Sequence, residues 1–376
     1  MIPLSVPNIN GNEWKYIKDC LDTNWVSSVG SYVNDFEKSI CNFTGAKYAI
    51  ATSNGTSALH IALLLAGVKQ NDYVIAPNIT FIASINSIKY LNASPILIDI
   101  DKDTWQMDLD LLETFLKENT IEGDAKLRYY KKDGRCIRAI MPVHVLGNMC
   151  DMERLILLAD KYNISVVEDA SESLGSTFKN KHSGTFGKLG CFSFNGNKII
   201  TTGGGGMIVT DDEDLAKKAK HLTTQAKSDN FEYVHDEIGY NYRLVNILAA
   251  LGVAQMEQLR SFLIRKKEIT ELYNKHLSSH PGLRSQKITS GVSANNWLYT
   301  VLLPETKKVI DTLTQSNIQV RPLWVPMNQL KMFSAELYIT QKNISDSVYK
   351  SSISLPSSVG ITNEEILFIC EKIKAS

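Results

Sequence analysis

The sequence predicts an α/β fold: a mainly parallel central sheet with helices on both faces, followed by a smaller C-terminal α/β domain. Three observations predict it. Short apolar runs alternate with stretches of helical periodicity through much of the first two hundred residues, the pattern of strands joined by helical crossovers. Two of those runs end close to groups that carry chemistry, Asp169 and Lys198. Past Pro281 and Gly282 the composition turns Ser-rich in SQKITSGVSANN, and fewer, more polar elements follow. A large domain is expected over residues 1–255 and a small one over 256–376, parting within a long helix.

Composition excludes several classes. The 376 residues hold 40 Lys plus Arg against 40 Asp plus Glu, and 44% are hydrophobic, so nothing points to nucleic acid, a membrane surface or disorder. The opening MIPLSVPNING lacks a basic region followed by an apolar core, and no stretch reads as long enough to span a bilayer. A cytoplasmic protein is expected. The six cysteines, Cys20, Cys41, Cys136, Cys150, Cys191 and Cys370, show no CxxC spacing, so reduced thiols are expected and no metal site.

Taken in order, Trp14, Ile17 and Leu21, then Val33, Phe36, Ile40 and Phe43, recur at helical spacing, and Gly45 is placed to end the second helix. Between them Thr23–Gly30 reads as a linker, or as a loop offering Ser27 and Ser28 to a ligand. Tyr48–Thr52 reads as a strand, and Ser53, Asn54, Gly55 and Thr56 precede a strongly apolar helix. That junction makes either an anion site at the helix N-terminus or ordinary capping by Ser or Asn. It is no Walker loop, since no Gly-Lys-Ser/Thr follows.

The strand Tyr73–Ala76 leads to a helix opening near Thr80, where Phe81 could stack on a flat ring or be plain core. Pro95–Ile100 is the next strand and Leu109–Glu118 the next helix. Asp133-Gly134 signals a hairpin turn before the strand Ile137–Val143, whose tip places His144 in a ligand cleft or in packing. Helix Asp151–Tyr162 and strand Ile164–Val167 follow, the latter stopping at Glu168 and Asp169. Further on come strands Cys191–Phe194 and Met207–Thr210, helices Glu213–Leu222 and Leu244–His276, strand Trp297–Leu303, helix Glu305–Ser316, strand Ile318–Pro322 and helix Asn363–Lys374.

Lys198 lies in a polar turn, Asn195–Gly196–Asn197, between a strand and the run Gly203–Gly206. Alone it could be a solvated lysine in a Gly-rich loop; in an apolar setting it is a candidate amine nucleophile for a Schiff base. Asp169 changes the weighing. In a parallel sheet its strand end faces the ligand crevice. A carboxylate and an amine meeting there are the pair pyridoxal phosphate needs, one for the pyridinium nitrogen and one for the aldehyde.

Five blocks in order, NGTSALHIAL, ITFIAS, VVEDASESLGS, SFNGNKIITTGGGG and GYNYRL, resemble the nucleotide-sugar aminotransferases of the DegT/DnrJ/StrS family. The resemblance is nearest to the LegC type of the legionaminic acid pathway, with perosamine synthases next. It implies a fold-type-I, pyridoxal 5'-phosphate-dependent enzyme working as a homodimer whose subunits share the active site. It also implies that Lys198 anchors the cofactor and acts as acid and base, that Asp169 pairs with the ring nitrogen, and that Phe81 covers the ring. Gly55, Thr56 and Ser193 would hold the phosphate, joined by Asn241 of the neighbouring subunit.

Two departures stand out. Glu172 occupies a position that is often Gln or His, so a hydrogen bond to the ring oxygen would need a proton on one partner or a water between them; and Gly203–Gly206 lacks the usual acid. The implied reaction moves an amino group from L-glutamate to a nucleotide-linked 4-keto-6-deoxy sugar, giving a 4-amino sugar for surface polysaccharide or glycoconjugate. His144, Asn195, Arg321 and Trp324 are the candidates for the sugar pocket, Arg321 by meeting a diphosphate or else by pairing with a local carboxylate, Trp324 as a wall or else as core. Two rivals remain: a sugar dehydratase with the same cofactor, disfavoured because that group carries His where this chain has Lys198, and a non-catalytic ligand-binding relative.

Overall fold

The computed structural model of the chain describes residues 1–229 and 231–376. A ten-stranded sheet forms its centre, with a main path of Tyr48–Thr52, Gly206–Thr210, Leu189–Ser193, Ser165–Asp169, Cys136–Ile140, Tyr73–Pro77, Ser94–Ile98 and Leu337–Ile339. From Leu189–Ser193 to Leu337–Ile339 every neighbouring pair is parallel. Gly206–Thr210 alone on this path runs the other way, wedged between Tyr48–Thr52 and Leu189–Ser193. The expected α/β class and mainly parallel sheet are observed.

Alternation of side chains along each strand supplies a core on each face. Within Tyr73–Pro77, Val74 and Ala76 pack with Leu59 and Leu63 of helix Gly55–Leu65 and Ile85 of helix Ile82–Tyr90. Tyr73 and Ile75 pack instead with Leu112 and Phe115 of helix Leu109–Asn119 and Leu155 of helix Met152–Lys161. The helices start where short polar side chains can accept their first amides: Asn54, Asp108, Asp151 and Asp212 each cap one, and Thr362 with Glu365 forms a capping box ahead of Asn363–Lys374. Gly45 ends helix Ser31–Thr44 at φ +80°, the left-handed cap expected of it.

A smaller antiparallel sheet, Arg284–Ser285, Tyr299–Leu302 and Ser352–Leu355, packs with helices Thr306–Gln315 and Asn363–Lys374. Its core holds Val301, Leu313, Ile353, Ile366 and Ile369, with Ile269, Tyr273 and Leu277 from the end of the long helix Asn246–Leu277. All six cysteines are free.

Two expectations are corrected, and the domain division meets an exception. Ile318–Pro322 is not a strand: among the described residues Ile318 makes an isolated bridge to Ile2 and Arg321 one to Ser354, and Pro322 has no N–H to continue a ladder. Leu337–Ile339 leaves the smaller unit and extends the large sheet beside Ser94–Ile98, so the division at residue 255/256 remains a proposal with that segment as its exception. Helix Asn246–Leu277 is long and apolar enough to cross a membrane, contrary to the expectation that no stretch is. Its residues Ala249, Leu259, Phe262, Ile269 and Tyr273 are buried in the protein's own cores.

Candidate active site

At the carboxyl ends of the parallel strands lies a cavity of about 280 Å³ whose lining includes Gly55, Thr56, Phe81, Asp169, Glu172, Ser193, Asn195, Lys198, Trp297 and Trp324. This is the place where a parallel sheet opens to ligands.

Asp169 is the last residue of its strand and only 3% exposed. Ser84 Oγ donates to its Oδ2 at 2.6 Å and the Ser171 N–H to its Oδ1 at 3.1 Å. Thr80 Oγ lies 2.7 Å from Ser84 Oγ, one helical turn before it. The carboxylate is thus held from both oxygens and keeps lone pairs for a partner in the cavity.

Lys198 sits in the loop between Leu189–Ser193 and the antiparallel strand Gly206–Thr210. The loop is closed by Phe194 N–H to Gly205 O at 2.8 Å and Thr202 N–H to Phe194 O at 2.9 Å, and it turns at Gly203 with φ +79°. Lys198 Nζ lies 4.0 Å from the centroid of the Trp297 ring and 3.6 Å from Glu172 Oε1. Burial pushes the Glu172 carboxyl up to about 7, against the opposing pull of the Lys198 charge and of the Leu146 N–H, which donates to Oε2 at 2.9 Å.

The opposite side of the cavity is the start of helix Gly55–Leu65. Asn54 Oδ1 takes the Ser57 N–H at 2.8 Å, which leaves the Gly55 and Thr56 amides beside the Ser193 hydroxyl. The backbones meet so closely that a Cβ on Gly55 would lie 2.8 Å from that of Ser193, and one on Gly206 would lie 2.5 Å from the Asn54 carbonyl carbon. Unpaired first-turn amides at a positive dipole end suit an anion such as a phosphate. Anchored carboxylate, amine and anion cradle are therefore on one cavity, a donor set into which pyridoxal phosphate fits. Phe81, half exposed just before helix Ile82–Tyr90, stands on its wall.

Of the residues singled out in the sequence, Gly55, Thr56, Phe81, Asp169, Glu172, Ser193, Asn195, Lys198 and Trp324 line this cavity. Three do not. His144 is fully buried with Nε2 2.9 Å from Glu168 Oε2, because the chain after the strand turns its side chain inward and leaves Val143 facing the cavity. Glu168 also accepts the amides of Gly184, Phe186 and Gly187, so the pair props a loop and does not face a substrate. Arg321 is exposed and donates to the Val320 carbonyl at 3.1 Å; among the described residues it meets no carboxylate, and it lies outside the cavity lining. Asn241 is exposed and lies outside the lining of its own subunit's cavity.

Ser84 and Trp297 were missed. Ser84 had a signal, since it follows Thr80 by four residues at a helix start. Trp297 had none, being brought to Lys198 from a hundred positions along the chain by its own Nε1–H bond to Asn197 O at 2.7 Å.

The DegT/DnrJ/EryC1/StrS aminotransferase family model matches residues 7–374. The chain is 40% identical to GDP-perosamine synthase of Escherichia coli O157:H7, covering 99% of this chain and 97% of that one. It is 38% identical to GDP-perosamine synthase of Caulobacter vibrioides, covering 97% and 95%. Among solved structures, the PLP form of Spr1654 from Streptococcus pneumoniae superposes with a TM-score of 0.89 at 25% identity, covering 100% of this chain and 98% of that one.

Proposed function

The chain belongs to the DegT/DnrJ/EryC1/StrS aminotransferase family and is a pyridoxal-phosphate-dependent sugar aminotransferase, and from that premise we propose that it moves an amino group from L-glutamate to C4 of a nucleotide-linked 4-keto-6-deoxy sugar. The 4-amino sugar formed would serve surface polysaccharide or glycoconjugate. The identity to GDP-perosamine synthases favours that side of the resemblance over the LegC type.

One observation carries the reading: Lys198 and Asp169 reach one cavity from two strand ends, with a helix start opposite. In this reading Lys198 is the covalent anchor, Asp169 faces the ring nitrogen, Gly55, Thr56 and Ser193 hold the phosphate, and Phe81 covers the ring. The cofactor supplies an electron sink for the pair left on the donor's α-carbon. Freed when the donor's amine takes its place on the cofactor, Lys198 Nζ would take the proton from that carbon and, in the return half-reaction, deliver one to C4 of the sugar. Glu172, 3.6 Å from the amine and near neutrality in its titration, can carry a proton of its own toward a ring oxygen, which answers the difficulty its charge would pose. Ser84 keeps Asp169 aimed, and Asn195 and Trp324 bound the space left for the sugar.

We further propose a homodimer with Asn241 serving the partner's cavity. Its exposure supports this, as do the exposed apolar side chains Trp25, Val29, Phe231 and Ile238. The test of the whole reading is borohydride reduction followed by peptide mass analysis, with glutamate alone and then UDP-, GDP- and dTDP-linked keto-sugars as substrates. A reduced adduct on Lys198, 2-oxoglutarate from glutamate, and an amino-sugar product are expected; Lys198→Arg loses all three. Normal turnover by that variant refutes the reading.

A further inference from the structure

Lys266 lies in the middle of helix Asn246–Leu277, 2% exposed, and has no ion pair among the described residues. Its Nζ donates to two main-chain carbonyls, that of Trp297 at 2.7 Å and that of Ser357. A buried lysine without a carboxylate is a poor stabiliser, since a methionine would fill the same space with no amine to desolvate. Trp297 is fixed at three points: its carbonyl by Lys266, its N–H by Asn295 Oδ1 at 3.0 Å, and its Nε1–H by Asn197 O at 2.7 Å. Asn295 in turn donates to Glu172 O at 2.8 Å and Leu174 O at 2.9 Å. The indole so fixed presents its face to Lys198 Nζ, with Glu172 on another side of the amine. A cation over an aromatic face is held by the ring's negative π-cloud, provided the ring does not swing.

We propose that Lys266 is a positioning residue that acts through Trp297: it braces the indole that seats the Lys198 amine whenever that amine is not covalently engaged, keeping it aimed into the cavity. The inference rests on the reading of Lys198 as cofactor anchor. Burial pushes the Lys266 amine down to about 7. Charged or neutral, it keeps at least two N–H groups, so the brace holds on either side of that pH.

The test is a double-mutant cycle on cofactor-free protein, reading the rate at which added pyridoxal 5'-phosphate gives a borohydride-reducible adduct on Lys198, with kcat and KM for glutamate measured on the reloaded protein. Lys266→Met and Trp297→Leu are each expected to slow adduct formation by about tenfold, the cost of an amine less well aimed at the aldehyde. Trp297→Phe, which keeps a π face, recovers most of the rate. The double variant is expected to be no slower than Trp297→Leu alone, because the carbonyl that Lys266 holds then carries no indole for the amine to rest on. kcat falls with KM for glutamate little changed. Additive losses, or an unchanged rate in Lys266→Met, overturn the proposal. A wild-type protein with no adduct on Lys198 overturns the anchor reading itself and this inference with it. Should Lys266→Met not fold, Lys266→Gln, whose shorter side chain reaches at most one of the two carbonyls, takes its place in the same cycle.

Discussion

Replacing Glu172 by Gln isolates the most perturbed acid of the site. In the cofactor-free protein burial raises this carboxyl from its ordinary 4.5 to about 7. At 1.36 kcal/mol for each pH unit, that is about 3 kcal/mol of folding free energy tied to one proton. Below 4.5 folded and unfolded chains both carry the proton, and the carboxyl adds no penalty. Between 4.5 and 7 the unfolded chain releases it while the folded chain retains it, so stability falls as pH rises. Above 7 the loss is complete; without the Lys198 amine at 3.6 Å and the Leu146 N–H at 2.9 Å, which pull the carboxyl down, it would be larger. Gln has the same shape, keeps an acceptor for Leu146 and cannot titrate. Urea unfolding of both proteins from pH 4.5 to 8 reads the difference. The gap between wild type and Glu172→Gln should shift by about 3 kcal/mol in the variant's favour across that range. Parallel profiles would show that the carboxyl is not raised and that its environment has been misjudged.

Two further substitutions test how the site and the sheet are held. Ser84→Ala removes the 2.6 Å hydrogen bond to Asp169 Oδ2 and leaves a buried carboxylate short of a donor, so cofactor affinity should weaken by about 1.5–3 kcal/mol, read by titrating pyridoxal 5'-phosphate into cofactor-free protein; unchanged affinity would mean that Asp169 needs no such support. Asp99, although burial alone would raise it, is held below its ordinary range by the hydroxyls of Ser345 and Thr340 and by the amides of Ser345 and Ile100, and the bonds from Thr340 and Ser345 tie the segment after Leu337–Ile339 to the large sheet. A depressed carboxyl stabilises the fold above its unfolded pKa and loses that contribution as pH falls through the folded one. Asp99→Asn should therefore cost about 1–3 kcal/mol at pH 7 and less near pH 3, measured as unfolding midpoints at both. An equal cost at the two pH values would remove the charge from the explanation.

Much of this protein was determined by neighbours in the sequence. Apolar periodicity and cap residues such as Asn54, Asp151 and Gly45 act over a few positions, so strand Tyr48–Thr52 and helix Asn363–Lys374 were legible to the residue, as was the Asp133-Gly134 hairpin turn. A strand ending at Asp169 beside a second one leading to Lys198 needs only a parallel register to bring carboxylate and amine together. What the sequence could not settle is which way a side chain turns once its strand has ended. His144 and Val143 are adjacent at one strand tip, yet only Val143 faces the cavity, because Glu168 offers the imidazole a buried partner. Arg321 turned to solvent for want of any such partner, and Leu337–Ile339 joined a sheet edge built by residues more than two hundred positions earlier. Trp297 reached Lys198 through bonds to Lys266, Asn295 and Asn197 and by stacking on Trp324. Local backbone preference decides where an element lies; pairing and burial among distant residues decide what its ends touch, and that was written only in the folded chain.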